Sequence, residues 1–301
     1  MLSFFLILVA ACFFEGFIIR TKSICAGRKG PWLLQPVFDV WRLLHKGSVY
    51  SPHCSWIFRA APVLYLASIL TAMLTVPFGP HPALLSFDGD FVFFAYMLAL
   101  GKLFCILGAL DTGSSFEGMG ASREALFSMF AEPAFFLIIG SIALITGQTS
   151  FQAMFTYLHL GDTMSYALAG LAAFILLLIA MIENSRMPVD DPKTHLELTM
   201  IHEVMILDYS GFDLGLILSG GYLKFAIYAA LIANLFVGGL GLEVAIPLFF
   251  AIQILSAVVI GITESFIARL RMNHNPQFIF ALSSIALMVI FGMLLLSGQL
   301  K

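Results

Sequence analysis

Residues 163–182 read TMSYALAGLAAFILLLIAMI, and residues 183–213 continue ENSRMPVDDPKTHLELTMIHEVMILDYSGFD. The first stretch is uncharged and crosses a bilayer, because about 20 apolar helical residues traverse a hydrocarbon core of roughly 30 Å. The second crowds charge directly behind it. Glu183, Arg186, Asp190, Asp191, Glu197, Glu203, Asp208 and Asp213 lie beside His195 and His202. An apolar span that opens onto an ionisable loop sets the pattern for the whole chain of 301 residues, which is 60% hydrophobic and only 11% charged. Its mean hydropathy is +0.98. Such a composition belongs to an all-α integral membrane protein.

Scanning outward from 163–182 gives eight spans: Leu2 to Ile19, Ile57 to Pro77, Phe91 to Leu110, Ala125 to Thr146, Thr163 to Ile182, Tyr222 to Leu240, Val244 to Ile267 and Phe278 to Ser297. The first has no basic leader or small-residue cleavage site, and Glu15 interrupts it, so it reads as a retained span. Lys and Arg crowd into alternate loops. Arg20, Lys22, Arg28, Lys29, Arg42, Lys46 and Arg59 fall in or beside the first loop, Arg123 in the third, Arg186 and Lys193 in the fifth, and Arg269 and Arg271 in the seventh. The odd loops are therefore expected on the cytoplasmic side, with both termini outside and the chain in the inner (plasma) membrane. The single membrane domain, 1–301, carries three informative loops at 20–56, 111–124 and 183–221.

Composition also excludes. Lys plus Arg number 15 against 18 Asp plus Glu, and no basic run follows a phosphate backbone, so nucleic acid is not a partner. Cys12, Cys25, Cys54 and Cys105 are scattered with no C-x-x-C pair, which rules out an iron–sulfur cluster or zinc ribbon held by this chain alone. LDTGSSFEGMGASREA at 110–125 is glycine-rich but lacks the Gly-Lys-Ser/Thr of a phosphate loop.

In the first loop, PVFDVWRLLHK at 36–46 sets Val37, Trp41 and Leu44 on one side of a helix and Asp39, Arg42 and Lys46 on another. That is the pattern of an interfacial amphipathic helix. In the fifth loop, Pro188 and Pro192 stop the preceding span, and 194–207 has helical composition. There His195 and His202 lie near one face, but helical histidine pairs without a third ligand are more often hydrogen-bonded structural groups than metal sites.

A charged side chain at the bilayer centre costs about 2.5–3.5 kcal/mol on insertion scales, so every acid in a span needs a partner, a wet cavity or a function. Glu15, Glu132 and Glu264 lie within or near the ends of spans, Glu183 ends the fifth, and Lys102 interrupts the third. Glu15 and Glu264 are the weakest of these, being closest to hydrated helix ends. Glu132 is the strongest, one turn inside its span beside Pro133, which frees backbone groups there.

Four segments together resemble a known family. GRKGPWLLQPVFDVWRLLHK at 27–46, GSSFEGMGASREALFSMFAEP at 113–133, ENSRMPVD at 183–190, and LEL at 196–198 with DYSG at 208–211 are similar to the complex I subunit 1 type. Its counterparts occur in formate hydrogenlyase and other group 4 membrane-bound NiFe hydrogenases. The resemblance implies a membrane anchor and coupling subunit between a soluble redox arm and an antiporter-like arm. Its partners would be hydrogenase-like large and small subunits on the cytoplasmic face, with iron–sulfur clusters and a NiFe centre belonging to them.

Carried over by position, Glu183, Arg186, Pro188, Asp190, Glu197 and Asp208 match acids and turns of the family's fifth loop, and Arg123, Glu124 and Glu132 its fourth-span motif. With Glu203 these acids form the expected proton-relay set, Arg123 and Arg186 being the charges that poise it. Asp191, Pro192, Lys193, Thr194 and His195 replace the family's denser acidic stretch. That departure weighs against bound quinone, as in a complex I-type NADH dehydrogenase, and toward a hydrogenase-type assembly. Two further alternatives are a passive scaffold, in which the acids only form ion pairs, and a stand-alone transporter, for which no inverted repeat is evident.

Overall fold

The computed structural model describes residues 1–79, 81–158, 163–191 and 200–296, the side chains of 163–165, 168, 293, 295 and 296 excepted. Long apolar stretches can satisfy their backbone in lipid only as helices, and the described elements are helices. In order come α1 Leu2–Cys25, α2 Gln35–Leu44, α3 Trp56–Met73, α4 Asp90–Asp111, α5 Ser115–Thr146, α6 Phe151–Tyr157, α7 Thr163–Glu183, α8 His202–Met205, α9 Gly211–Val237, α10 Leu242–Phe266 and α11 Asn275–Leu296. A 3₁₀ turn, Met272–His274, precedes α11.

Each expected span coincides with a long helix, and seven helices among the described residues are long and apolar enough to cross a membrane. The exception is α7, whose apolar part among the described residues, Ala169–Glu183, is shorter than a full crossing. The expected count of eight is thus met by helices, but by seven on that criterion. Two loops shrink. The glycine-rich stretch expected at 111–124 is helical from Ser115, and α9 starts at Gly211, well before the expected Tyr222. Continuous helix over 194–207 does not hold where it can be seen, since 200 and 201 are non-helical and α8 is one turn.

The helix α9 is the axis of the bundle. Of its most apolar window 72% is buried, far above any other span, and α1, α3, α7 and α10 pack around it. The pairs α3–α4 and α5–α11 complete the wall. Close approach is needed where α10 meets α1: a Cβ on Gly261 would stand 2.8 Å from Thr21 Cβ and 3.1 Å from the Ile18 carbonyl oxygen, so only glycine fits. One turn further, the same helix presents Glu264 to α1.

The amphipathic helix forms as expected, at 35–44. Its inward side, with Val40 buried and Leu43 and Leu44 against Gly215 of α9, packs on the bundle. The outward side leaves Phe38 and Trp41 exposed, Phe38 stacking on Trp32 with ring centroids 5.5 Å apart. Trp41 therefore faces away from the protein, opposite to Val40.

Candidate functional site: a buried chain of charges

The site begins with lysines that a bilayer span ordinarily excludes. Lys102 on α4 lies nine residues from Asp111 and twelve from Asp90, which at 1.5 Å per residue is about 13 Å and 18 Å from the two helix ends. Its Nζ stands 3.1 Å from Glu124 Oε1 on α5 and 2.9 Å from Glu183 Oε2 at the end of α7, and it donates to Ser128 Oγ at 2.6 Å. Lys224 on α9 shares the same Glu183 Oε2 at 3.2 Å and donates to the Glu183 carbonyl at 2.8 Å. Glu124 Oε2 accepts from Ser185 Oγ at 2.9 Å. Ser185 holds a left-handed φ of 48°, a conformation disfavoured for a side chain bearing a Cβ and maintained here by its surroundings.

A second cluster is built on Arg186. Its Nη2 bonds Glu15 on α1 and its Nη1 lies 3.3 Å from Glu264 Oε1 on α10, while Lys22 reaches Glu264 Oε2 at 2.7 Å. The guanidinium also lies 5.2 Å from the Phe225 ring centroid on α9. Across both clusters four cations, Lys22, Lys102, Arg186 and Lys224, meet four carboxylates, Glu15, Glu124, Glu183 and Glu264. Buried charges persist only when paired in this way.

The loop after α7 is held by a third set. Asp190, fully buried, pairs with Arg269 at 2.9 Å through Oδ1 and accepts the Ile201 and His202 amides through Oδ2 at 2.9 and 3.2 Å. Burial pushes its carboxyl up from the ordinary value, opposed by Arg269 and the three amides that bond it. Burial pushes the half-buried His202 down, opposed by the negative charge of Glu124. Arg123 Nη1 donates to the Met200 carbonyl at 3.0 Å, and Asn275 donates to the Val189 carbonyl at 3.0 Å.

Two cavities flank Glu183. One of about 70 Å³ is lined by Tyr65, Arg186, His202, Glu203 and Tyr222 as well as Glu183. The other, about 30 Å³, runs past Lys102 and Ser128 to Glu132. Each exceeds the roughly 10–15 Å³ that a water needs, and both are lined by polar groups.

The expected residues divide. Glu124 and Glu183 share the central cluster, Asp190 and Arg123 pin the loop, and Glu203 lines the larger cavity. Glu132 departs from expectation: it is exposed on the side of the bundle, touching the cluster only through the smaller cavity. Asp208 is also exposed, and its backbone amide, not its carboxylate, is engaged, donating to Glu117 at 2.9 Å. Glu197 and His195 lie outside the described residues. Arg186 poises Glu15 and Glu264 rather than its near neighbour Glu183, because the guanidinium points across the bundle to α1 and α10. Those two acids, ranked weakest by helix-end position, are 6% exposed and fully paired. Sequence reasoning missed Lys224, although a lone lysine inside an apolar run is itself a signal. Among the described residues no group of three or more His, Cys, Asp or Glu is arranged for a metal.

Fold and site together define a multi-pass helical membrane protein with a charged interior. The sequence matches the NADH dehydrogenase family model over residues 1–295, and the chain belongs to that family. It is 29% identical over 269 residues to formate hydrogenlyase subunit 4 of Escherichia coli (strain K12), covering 84% of each chain. Hydrogenase-4 component C of the same organism is 29% identical over 237 residues, 77% of this chain and 72% of the relative. A membrane component of the NADH-quinone oxidoreductase of Rubrobacter xylanophilus is 28% identical over 215 residues, 70% of this chain and 64% of the relative. The fold also matches a chain in the structure of the membrane-bound sulfane sulfur reductase, an archaeal respiratory membrane complex, with a TM-score of 0.80 at 18% identity over 97% of this chain and 98% of that one.

Proposed function

We propose that this chain is the membrane anchor and coupling subunit of a multisubunit hydrogenase-type or related respiratory oxidoreductase, linking electron transfer in a docked cytoplasmic arm to movement of a proton or sodium ion. The observation that carries the reading is the position of Glu183. It is held by two lysines and set between two polar cavities, one reaching toward Glu203 and His202 and the other toward Glu132. Glu203, Glu183, Glu124 and Glu132 are the relay groups, with Glu197 and Asp208 as surface acids at the docking loops. Asp190 and Arg123 transmit movement of the fifth loop to α5 and the 200–202 segment. Hydrogenase-like large and small subunits dock on the cytoplasmic loops and bring the iron–sulfur clusters and NiFe centre, antiporter-like subunits adjoin in the plane of the inner membrane, and both termini face outside. The cavity beside Glu203, at about 70 Å³, falls well below the roughly 300–1,000 Å³ of small-molecule pockets, which supports a reading without bound quinone.

The test is Glu183→Gln in the intact complex reconstituted into proteoliposomes. Assembly and electron transfer are expected to persist while coupled ion uptake is lost; uptake at the wild-type rate removes the relay role. The balance of four cations with four carboxylates supports a second reading, a scaffold whose charges only join helices. In that case Gln lowers assembled yield without a specific loss of uptake.

A further inference from the structure

Glu132 is an anomaly in an otherwise balanced interior. Its side chain is exposed on the flank of α5 and makes no hydrogen bond or ion pair among the described residues, while every acid of the two clusters is paired. Lys102, the nearest cation lining the same cavities, has no donor left for it. An ammonium carries three N–H groups, and these face Glu124, Glu183 and Ser128. Counted with Glu132, the central cluster of Lys102, Lys224, Glu124 and Glu183 is one positive charge short. Pro133 adds to the deficit, having no N–H to return to the Met129 carbonyl one turn back.

Glu132 also stands at the edge of a groove of about 600 Å³ between α4 and α5 that opens sideways from the bundle. Around it, Tyr96 is 64% exposed, Leu103 49% and Met129 58%, an apolar surface shaped to take a helix. A carboxylate facing lipid at this depth would cost about 2.5–3.5 kcal/mol, and a partner's cation set against it offsets that cost.

We propose that this groove is the seat of a transmembrane helix from an adjacent membrane subunit, and that the helix presents a basic side chain, Lys, Arg or His, to Glu132. The proposal rests on the relay reading, since it makes the partner helix the next element beyond Glu132, and it names the charge that the groove selects. An aliphatic helix would leave Glu132 unpaired, and an acidic one would place two like charges together.

A photo-crosslinking amino acid placed at Leu103 or Met129 in the intact complex, followed by peptide mass spectrometry, tests it. The expected crosslink is to a transmembrane segment of a partner subunit with a basic residue within one turn of the crosslinked position. Neutralising that residue, or Glu132→Gln, each lowers the yield of assembled complex several-fold, and the two together recover most of it. Crosslinks to lipid alone, crosslinks to a segment whose polar residue is acidic or an amide, or additive losses in the double variant overturn the proposal. The crosslink is read in the resting complex without turnover. It can therefore form even where Glu183→Gln leaves ion uptake unchanged, so the docking proposal and the relay reading fail separately.

Discussion

Arg186→Met is the perturbation whose size the structure fixes best. The guanidinium is about nine-tenths buried and faces two carboxylates that differ in what remains when it is gone. Glu264 keeps Lys22 at 2.7 Å, whereas Glu15 loses the cation that holds it. Removing one partner of a buried ion pair costs about 3–5 kcal/mol, most of it from the stranded charge. At roughly 2–4 °C per kcal/mol, the melting temperature of the purified protein should fall by roughly 6–20 °C. The asymmetry then makes a sharper statement. Glu15→Gln added to Arg186→Met should restore half or more of the loss, because it removes the stranded charge. Glu264→Gln added instead should restore little, because it releases Lys22 while leaving Glu15 unpaired. Thermal unfolding of the four-variant cycle, followed by tryptophan fluorescence in detergent, supplies the coupling energies. Coupling of Arg186 to Glu15 below about 0.5 kcal/mol, the value for independent sites, would refute the reading of this cluster.

Arg186→Ala should also impair coupled activity far more than Arg271→Ala, whose side chain lies exposed in the seventh loop; comparing ion uptake per electron transferred in the two variants checks this. Gly120→Ala should destabilise the contact between α5 and α8 by about 1–3 kcal/mol, because a Cβ there would stand 2.5 Å from Val204 Cγ1 and 2.8 Å from the Ile201 carbonyl; faster amide exchange at 201–206 is the readout. His202 has its pKa lowered by burial, so its contribution to stability is complete above the free histidine value of about 6.5 and is lost as pH falls below it. Acidification should thus loosen 200–202 in the wild type and do so less in His202→Gln, measured by hydrogen exchange across that window.

The sequence reveals the spans clearly because the physics is one-dimensional: about 20 apolar residues must be a helix in lipid, whatever surrounds them. Helix ends outside the bilayer are decided by packing, which the pattern does not encode. GMGASRE at 118–124 has the composition of a loop, yet it is helical because Gly120 lets α5 close onto Ile201 and Val204. Within the site, Glu124 and Glu183 could be picked out as acids in the wrong solvent. Their partners could not be paired from sequence, since Glu15 and Arg186 are 171 residues apart and Lys22 and Glu264 are 242 apart. Ranking acids by distance from a span's end failed for Glu15 and Glu264 because a helix end packed inside a bundle is as dry as its middle. It failed in the opposite sense for Glu132, which is well inside its span but on the outer flank.

Lys224 gives one ammonium two different anchors, the side chain of Glu183 and that residue's main-chain oxygen at 2.8 Å. The second anchor carries the partial negative charge of a helix terminus, which no proton can discharge. If Glu183 takes up a proton, the lysine loses a counter-ion but keeps its mooring, so it has no reason to swing away. Traffic through this junction therefore cannot ride on a roaming lysine arm; the positive charge stays parked, and only lighter cargo can pass.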